Sequence, residues 1–204
     1  MSTPANEPAA RLKRRRRLPE EARREALASA RRLLIEAGPK AVTLNAVGKQ
    51  IGVTHATLIH HFGSAAGLQS ALMGSMIADL TDALAETAVQ LRSDAGAPRA
   101  LTDSVFDAAG PGGAGRLAAW IALSGDLEHL EPIRAAVIHV VDAIQEKFSD
   151  AGEGARDRVA AAVLFMALCA FGDAIIGGPL RGMLGRDEDS AREIVAGLLP
   201  TFLA

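Results

Sequence analysis

Apolar residues recur at helical spacing along most of the chain, and the strict apolar–polar alternation of a half-buried strand does not stand out. One long segment carries Leu or Met at every fourth position from Leu68 to Leu84. At about 28 residues and about 1.5 Å per residue, this helix would be about 42 Å long. We therefore predict an all-α fold of about nine helices. Their approximate bounds are 19–37, 43–51, 54–62, 64–92, 99–109, 115–124, 131–150, 155–176 and 188–203.

The segment from Thr43 to Ser64 predicts two short helices joined by a tight turn. Thr43 and Thr54 are residue types that begin helices, because their side-chain oxygens accept backbone N–H groups of the first turn. Gly52 stands where a residue at positive φ ends the first helix at little cost. The predicted buried faces carry Leu44, Val47 and Ile51 in the first helix, and Leu58 and Phe62 in the second. This helix-turn-helix arrangement is the one that places a recognition helix in the major groove of DNA.

The outer face of the second short helix offers small or hydrogen-bonding side chains and no acid. A metal site at His60 and His61 is disfavoured, because adjacent helical residues point about 100° apart and no Cys or carboxylate is near in sequence. We interpret His60 as a DNA-facing residue, and His61 as a half-buried residue that steadies the turn or contacts a phosphate. The residues of this region that are predicted to contact DNA are Thr43, Asn45, Thr54, His55, Ala56, Thr57, His60 and His61.

Charge is divided unevenly along the chain, although the formal net charge is only −2. Residues 1–61 contain 12 Lys and Arg against 5 Asp and Glu, whereas residues 62–204 contain 10 against 19. A basic head on an acidic body indicates a polyanion partner at one end. We predict that residues 1–17 form a flexible arm that neutralises DNA phosphates, with a solvated tail as the alternative. The predicted contacts of the arm are Arg14, Arg15, Arg16 and Arg17.

Composition indicates an aliphatic core in a reducing compartment. Hydrophobic residues make up 49% of the chain, but it has only six Phe, one Trp and no Tyr. The single cysteine, Cys169, rules out an internal disulfide and is typical of a cytoplasmic protein. The longest uncharged apolar run, 159–172, is shorter than the about 20 residues that span a membrane. We therefore predict a buried helix at this run and a cytoplasmic location.

The residue types of catalytic and cofactor sites are present, but not at the spacing that such sites require. The glycines between 110 and 115 lack the preceding strand of a nucleotide-binding loop. Cys169 has no neighbouring base, which favours an inert core thiol. We find no spacing typical of a catalytic triad among Ser104, Asp126, His129 and His139. We therefore predict a protein that is not an enzyme and that binds neither a cofactor nor a metal.

The helix-turn-helix and its flanks resemble the TetR family of bacterial repressors over residues 20–72. The resemblance rests on a helix that ends in Ala-Gly, two helix-starting threonines, Thr-Leu and His-Phe pairs, and a serine that opens a long helix. The residues that carry it are Ala37, Gly38, Thr43, Val47, Gly52, Val53, Thr54, Thr57, Leu58, His61, Phe62 and Ser64. It implies a DNA-binding head at 18–64 and a body at 65–204 that holds a small-molecule effector. It also implies a homodimer, a palindromic operator in double-stranded DNA, and a repressor.

Three positions depart from the family pattern. Ile59 stands where the family has Tyr, and Ala65-Ala66 stands where it has Lys-Glu. The Tyr hydroxyl and the Lys ammonium are typical phosphate contacts in that family, so we expect the basic arm to offset their loss. The alternative function is a dimeric helical module for small molecules or proteins, with a head that has lost DNA binding.

The sites of the body follow from the resemblance and from the helical faces. The resemblance implies an effector cavity among the helices that span 65–150, closed by the inner face of 155–176. The candidate effector contacts are Phe106, Trp120, His139 and Met166, with core packing as the alternative for Trp120 and a surface position as the alternative for His139. In the resembled family, the last two long helices pair with those of a second copy. The candidate dimerisation residues are Leu164, Leu168, Phe171, Ile194, Leu198 and Phe202.

Overall fold

The computed structural model describes residues 19–90, 94–125, 131–147 and 154–203, and within these ranges it contains helices and turns but no strand. The all-α prediction is therefore confirmed. The basic arm with Arg14 to Arg17 lies outside the described residues. The helices are α1 (Pro19–Ala37), α2 (Leu44–Ile51), α3 (His55–Phe62), α4 (Ala65–Gln90), α5 (Ala97–Ala109), α6 (Ala114–Ser124), α7 (Glu131–Lys147), α8 (Ala155–Gly172), α9 (Gly178–Leu184), α10 (Ser190–Leu198) and α11 (Pro200–Leu203).

The long helix α4 connects the head to the body. It has 26 residues, which corresponds to a length of about 39 Å. The four-residue stripe predicted from the sequence faces inward, since Leu68, Leu72, Met76 and Leu84 are all buried. The first half of the stripe packs in the head and the second half packs in the body, so α4 belongs to both.

One hydrophobic cluster fills the head and continues into the near end of the body. Leu34 of α1, Val47 of α2 and Leu58 of α3 are almost completely buried. The same cluster includes Leu72 of α4 and Leu117 of α6. The three short helices of the head therefore share their core with two helices of the body. Such a shared core disfavours free rotation of the head against the body.

A second hydrophobic cluster fills the body. At the surface, a network of ion pairs connects α5 to α10. Arg192 of α10 donates hydrogen bonds to Asp103 (3.1 Å) and Asp107 (2.7 Å) of α5, while Arg99 contacts Asp103 at 3.0 Å. Burial acts to raise the pKa of Asp103, but hydrogen bonds from Arg192 and Arg99 outweigh it and lower that pKa. The Asp103 carboxylate is therefore charged at neutral pH and helps to hold α10 against α5.

The C-terminal helices differ from the sequence prediction. The sequence predicts a break after residue 176, but α8 continues through five π-helical residues (Asp173–Gly177) into α9. In a regular helix the ring of Pro179 would clash with the carbonyl group four residues earlier. The wider π turn directly before it relieves that crowding, and an ion pair between Asp173 and Arg181 spans the turn. The helix ends only at Gly185, where φ is 64°.

The prediction of a buried helix at 159–172 is only half correct. Val159 and Met166 on its inner face are buried, whereas Leu168 on the outer face is 66% exposed. The continuous helix Ala155–Leu184 has 30 residues and meets the length and composition requirements for crossing a membrane. Its inner face nevertheless packs against the core of the body, so it forms one wall of the fold with an uncovered outer face.

Candidate functional site

The turn between α2 and α3 is held by the capping residues that the sequence predicted. The hydroxyl of Thr43 accepts a hydrogen bond from the backbone N–H of Ala46 at 3.2 Å, and that of Thr54 accepts one from Thr57 at 3.2 Å. Gly52 ends α2 in the left-handed conformation, with φ 69° and ψ 34°. The predicted helix-turn-helix is therefore confirmed in its local geometry.

Gly48 lets the two short helices approach each other, which the sequence analysis did not anticipate. A Cβ atom at this position would lie 2.8 Å from the carbonyl oxygen of Val53 and 3.5 Å from Cδ1 of Leu58. The first distance is shorter than real Cβ contacts allow, so only glycine fits without a shift of the backbone. A glycine within a helix, where it is unfavourable, was the available signal for this close approach.

The predicted DNA-contacting residues lie on α2, α3 and the caps that precede them, and most are open to solvent. Thr57 and His61 are partly buried. The hydroxyls of Thr54 and Thr57 lie 2.9 Å apart and share a hydrogen bond, which aligns both at the start of α3. The exposed members of the set are Thr43, Asn45, Thr54, His55, Ala56 and His60. The structure thus brings these residues together on one pair of helices, with no acid on either helix.

The end of α3 is tied to α1 by an arginine that the sequence analysis did not single out. Nη1 of Arg23 donates a hydrogen bond to the backbone carbonyl of His61 at 3.2 Å, and its guanidinium lies 4.9 Å from the centre of the Phe62 ring. A cation at the C-terminal end of a helix stabilises that helix through its dipole. The His60 and His61 rings are 5.7 Å apart and tilted by 60°. His61 is partly buried at the contact with α1, whereas His60 is exposed.

Two further side chains fix the head to α4. The hydroxyl of Ser64 accepts a hydrogen bond from the N–H of Gly67 at 3.0 Å and begins α4, as the sequence predicted. The side-chain amide of Gln69, which is buried, donates to the carbonyl oxygen of Val42 at 3.1 Å. Because Val42 immediately precedes the cap of α2, this bond connects the long helix to the start of the helix-turn-helix.

The body contains a partly open cavity of about 350 Å³ between the two hydrophobic clusters. Its walls come mainly from α4, α5, α6, α7 and α8. Of the four predicted effector contacts, Met166 lies in the wall. Phe106 is buried beneath the guanidinium of Arg192, and Trp120 and His139 are exposed. Aliphatic residues that the sequence did not distinguish from ordinary core form most of the wall, because a cavity arises from how helices are spaced.

The predicted dimerisation residues divide into two groups. Leu164, Leu168, Ile194 and Leu198 are exposed on the outer side of α8 and α10. Phe171 instead lines the body cavity, and the ring of Phe202 stacks on Phe165 of the same chain at 4.9 Å. Cys169 lies in a groove between these helices, and burial raises the pKa of its thiol, which disfavours the reactive thiolate.

Comparison with known proteins places the head and the fold in one class. Residues 26–72 match the family model described as bacterial regulatory proteins, tetR family. A TetR-family transcriptional regulator from Pectobacterium atrosepticum is 20% identical, with a TM-score of 0.64 over 91% of this chain and 93% of that chain. PfmR from Thermus thermophilus, also of the TetR family, is 18% identical, with a TM-score of 0.49 over 87% and 93% of the two chains. No curated protein sequence matches this chain.

The capped head is a helix-turn-helix domain that continues into an all-α body. The family match spans the whole motif and the first part of α4, so residues 26–72 form a domain of the TetR family, and the fold of the P. atrosepticum regulator extends over nearly the whole chain. The resemblance predicted from the sequence is therefore confirmed.

Proposed function

We propose that the protein is a ligand-responsive repressor that binds a palindromic operator as a homodimer and resides in the cytoplasm. The observation that carries this proposal is the outer surface of α2 and α3. It is polar, free of acids, and held rigidly by the Thr43, Thr54 and Arg23 contacts described above. A short helix fixed in this way can enter the major groove without first paying an ordering cost.

The proposed dimer interface is the exposed apolar surface of the last helices. These side chains belong to α8, the π turn, α9 and α10, and together they exceed the scattered exposure that is normal for a monomer. They are Leu164, Leu168, Ile175, Ile176, Leu180, Met183, Leu184, Ile194 and Leu198. A second copy of the same surface would cover them in an isologous contact, and two heads would then face two half-sites. A membrane is the weaker candidate, because the inner face of α8 packs on its own protein core.

Helix α6 provides the proposed connection between the cavity and the head. Ala118 and Ile121 of α6 line the cavity, whereas Leu117 of the same helix is fully buried in the head cluster. Just before α6, a Cβ atom at Gly113 would lie 3.2 Å from Cγ of Leu34 in α1. A ligand that displaces α6 would therefore displace α1 as well. Such a ligand shifts the equilibrium between a DNA-binding state and a non-binding state only to the extent that it binds one of these two states more tightly.

Selection of binding sites from random DNA tests the proposal. A two-fold dimer with one recognition helix per subunit is expected to select inverted half-sites whose centres lie about 34–36 Å apart or slightly more. Sequencing of the retained DNA measures the repeat and its spacing. A single unrepeated consensus would argue against the dimeric operator complex, and the absence of any enrichment would favour the module that has lost DNA binding.

Two substitutions in α3 are expected to separate base reading from phosphate binding. His60→Ala removes an exposed side chain, and Thr57→Ala removes a hydroxyl that Thr54 aligns. If either contacts a base edge, affinity for the selected operator should fall by about 1–3 kcal/mol and preference should relax at one position per half-site. Titration of matched operator variants measures this change. Equal loss of affinity on every sequence would instead assign the residue to the phosphate backbone.

A further inference from the structure

We propose that the effector is a small uncharged molecule, largely hydrocarbon, bound in the cavity between the two hydrophobic clusters. This inference rests on the proposed ligand-responsive function and specifies the chemistry of the ligand. It follows from the wall of the cavity, from the hydrogen bonds of the polar groups nearest to it, and from its volume.

The described residues that line the cavity offer hydrocarbon and thioether surface and no polar side chain. The wall is built from Ala, Val, Leu, Ile, Met and Phe. Met73, Met76 and Met166 lie in it, and flexible thioether side chains of this kind adapt their shape to an apolar guest. A binding pocket normally combines such a surface with a few polar groups that fix the orientation of a polar ligand. Orientation here would depend on shape alone.

The polar groups on the neighbouring turns are already bonded. The buried hydroxyl of Thr81 donates to the carbonyl oxygen of Ile77 at 3.0 Å, and that of Thr102 donates to Pro98 at 2.8 Å. On the outer side of α5, Asp103 and Asp107 are bonded to arginines. A carboxylate or ammonium group that enters the cavity would therefore meet no polar side chain among the described residues that line it, and burial of an unpaired charge is strongly unfavourable.

The volume limits the size of the ligand. A cavity of about 350 Å³ lies near the lower end of the range of about 300–1,000 Å³ for small-molecule sites, so it admits a small ligand. Its position allows such a ligand to influence both the DNA-binding head and the proposed dimer surface. Ala118 belongs to the α6 wall that leads to the head, and Ala167 belongs to α8, whose outer face is the proposed dimer surface.

Competition for a fluorescent probe tests the ligand class on the full chain. N-phenyl-1-naphthylamine, which is neutral, should bind and fluoresce, while its sulfonate, 8-anilino-1-naphthalenesulfonate, should bind about tenfold or more weakly. Decan-1-ol should displace the neutral probe at concentrations about tenfold or more below those of decanoate or decyltrimethylammonium, which share its chain. Equal or stronger displacement by either charged compound would overturn the proposal.

Filling the cavity distinguishes it from the exposed apolar surface as the place of binding. Ala118→Phe places a ring into the wall from α6, and Ala167→Phe does so from α8. Ala135→Phe adds the same ring on the exposed side of α7, away from the wall. Decan-1-ol affinity should fall by about tenfold or more in the first two variants and stay unchanged in the third, with thermal unfolding as a check on folding. Unchanged affinity in a folded cavity variant would place the ligand elsewhere and overturn the proposal.

A DNA measurement separates this inference from the proposed function. Affinity for the selected operator is determined with and without decan-1-ol. If decan-1-ol binds the cavity and alters DNA affinity, both proposals are supported. If it binds the cavity and leaves DNA affinity unchanged, the inference of an apolar ligand is supported and the proposal of ligand-responsive regulation is contradicted. If a charged compound binds in its place and alters DNA affinity, the proposal of ligand-responsive regulation is supported and the inference of an apolar ligand is contradicted.

Discussion

Gly48→Ala is expected to abolish tight operator binding while leaving the body folded. The added Cβ would lie 2.8 Å from the carbonyl oxygen of Val53, and this oxygen belongs to the backbone of the turn, so it cannot move without moving α3. Overpacking of this kind costs about 1–3 kcal/mol of stability. A shift of the recognition helix by the same strain should lower operator affinity by about tenfold or more, since about 1.4 kcal/mol corresponds to tenfold.

A destabilising change away from the head provides the control for Gly48. Ala135 lies on the exposed side of α7, so Ala135→Gly should lower the free energy of unfolding by about 1 kcal/mol and leave operator affinity unchanged. Chemical denaturation and operator titration are measured on both variants. Wild-type operator affinity in Gly48→Ala would contradict the claim that this close approach sets the angle between α2 and α3.

The local features of the head could be predicted because they depend on neighbours in the sequence. Thr43, Thr54 and Ser64 each cap the helix that follows them, and Gly52 adopts the expected positive φ. The buried stripes of α2, α3 and α4 also follow the helical period of the sequence. Capping and periodicity act within one or two helical turns, so one sequence contains the information that they need.

The features that the sequence did not reveal depend on contacts between distant segments. Trp120 is apolar yet exposed, Phe106 is buried beneath Arg192, and neither lines the cavity. The break expected near Gly177 is absent, because a π turn accommodates Pro179 and an ion pair to Arg181 spans it. In each case the outcome depends on which other helix packs against the residue, and this cannot be predicted from composition and spacing.

Leu168→Glu is expected to convert the proposed dimer into monomers and thereby remove most operator affinity. Leu168 is 66% exposed within the single chain and lines the groove between α8 and α10, which belongs to the proposed interface. An isologous contact would bury this glutamate twice, once from each copy, and a buried charge without a partner is strongly unfavourable. The cost to the folded monomer should be small, because the side chain faces solvent there.

Leu123→Glu supplies the matched control, since Leu123 of α6 is 88% exposed and does not line the groove between α8 and α10. Sedimentation equilibrium should give the monomer mass of 21.2 kDa for Leu168→Glu and twice that mass for Leu123→Glu. Loss of the second half-site contact removes the gain from linked binding, so operator affinity should fall by about 10²–10⁴-fold in the first variant alone. A dimeric Leu168→Glu protein with full operator affinity would rule out this surface as the interface. Equal loss in both variants would instead point to a general effect of added negative charge on binding to DNA.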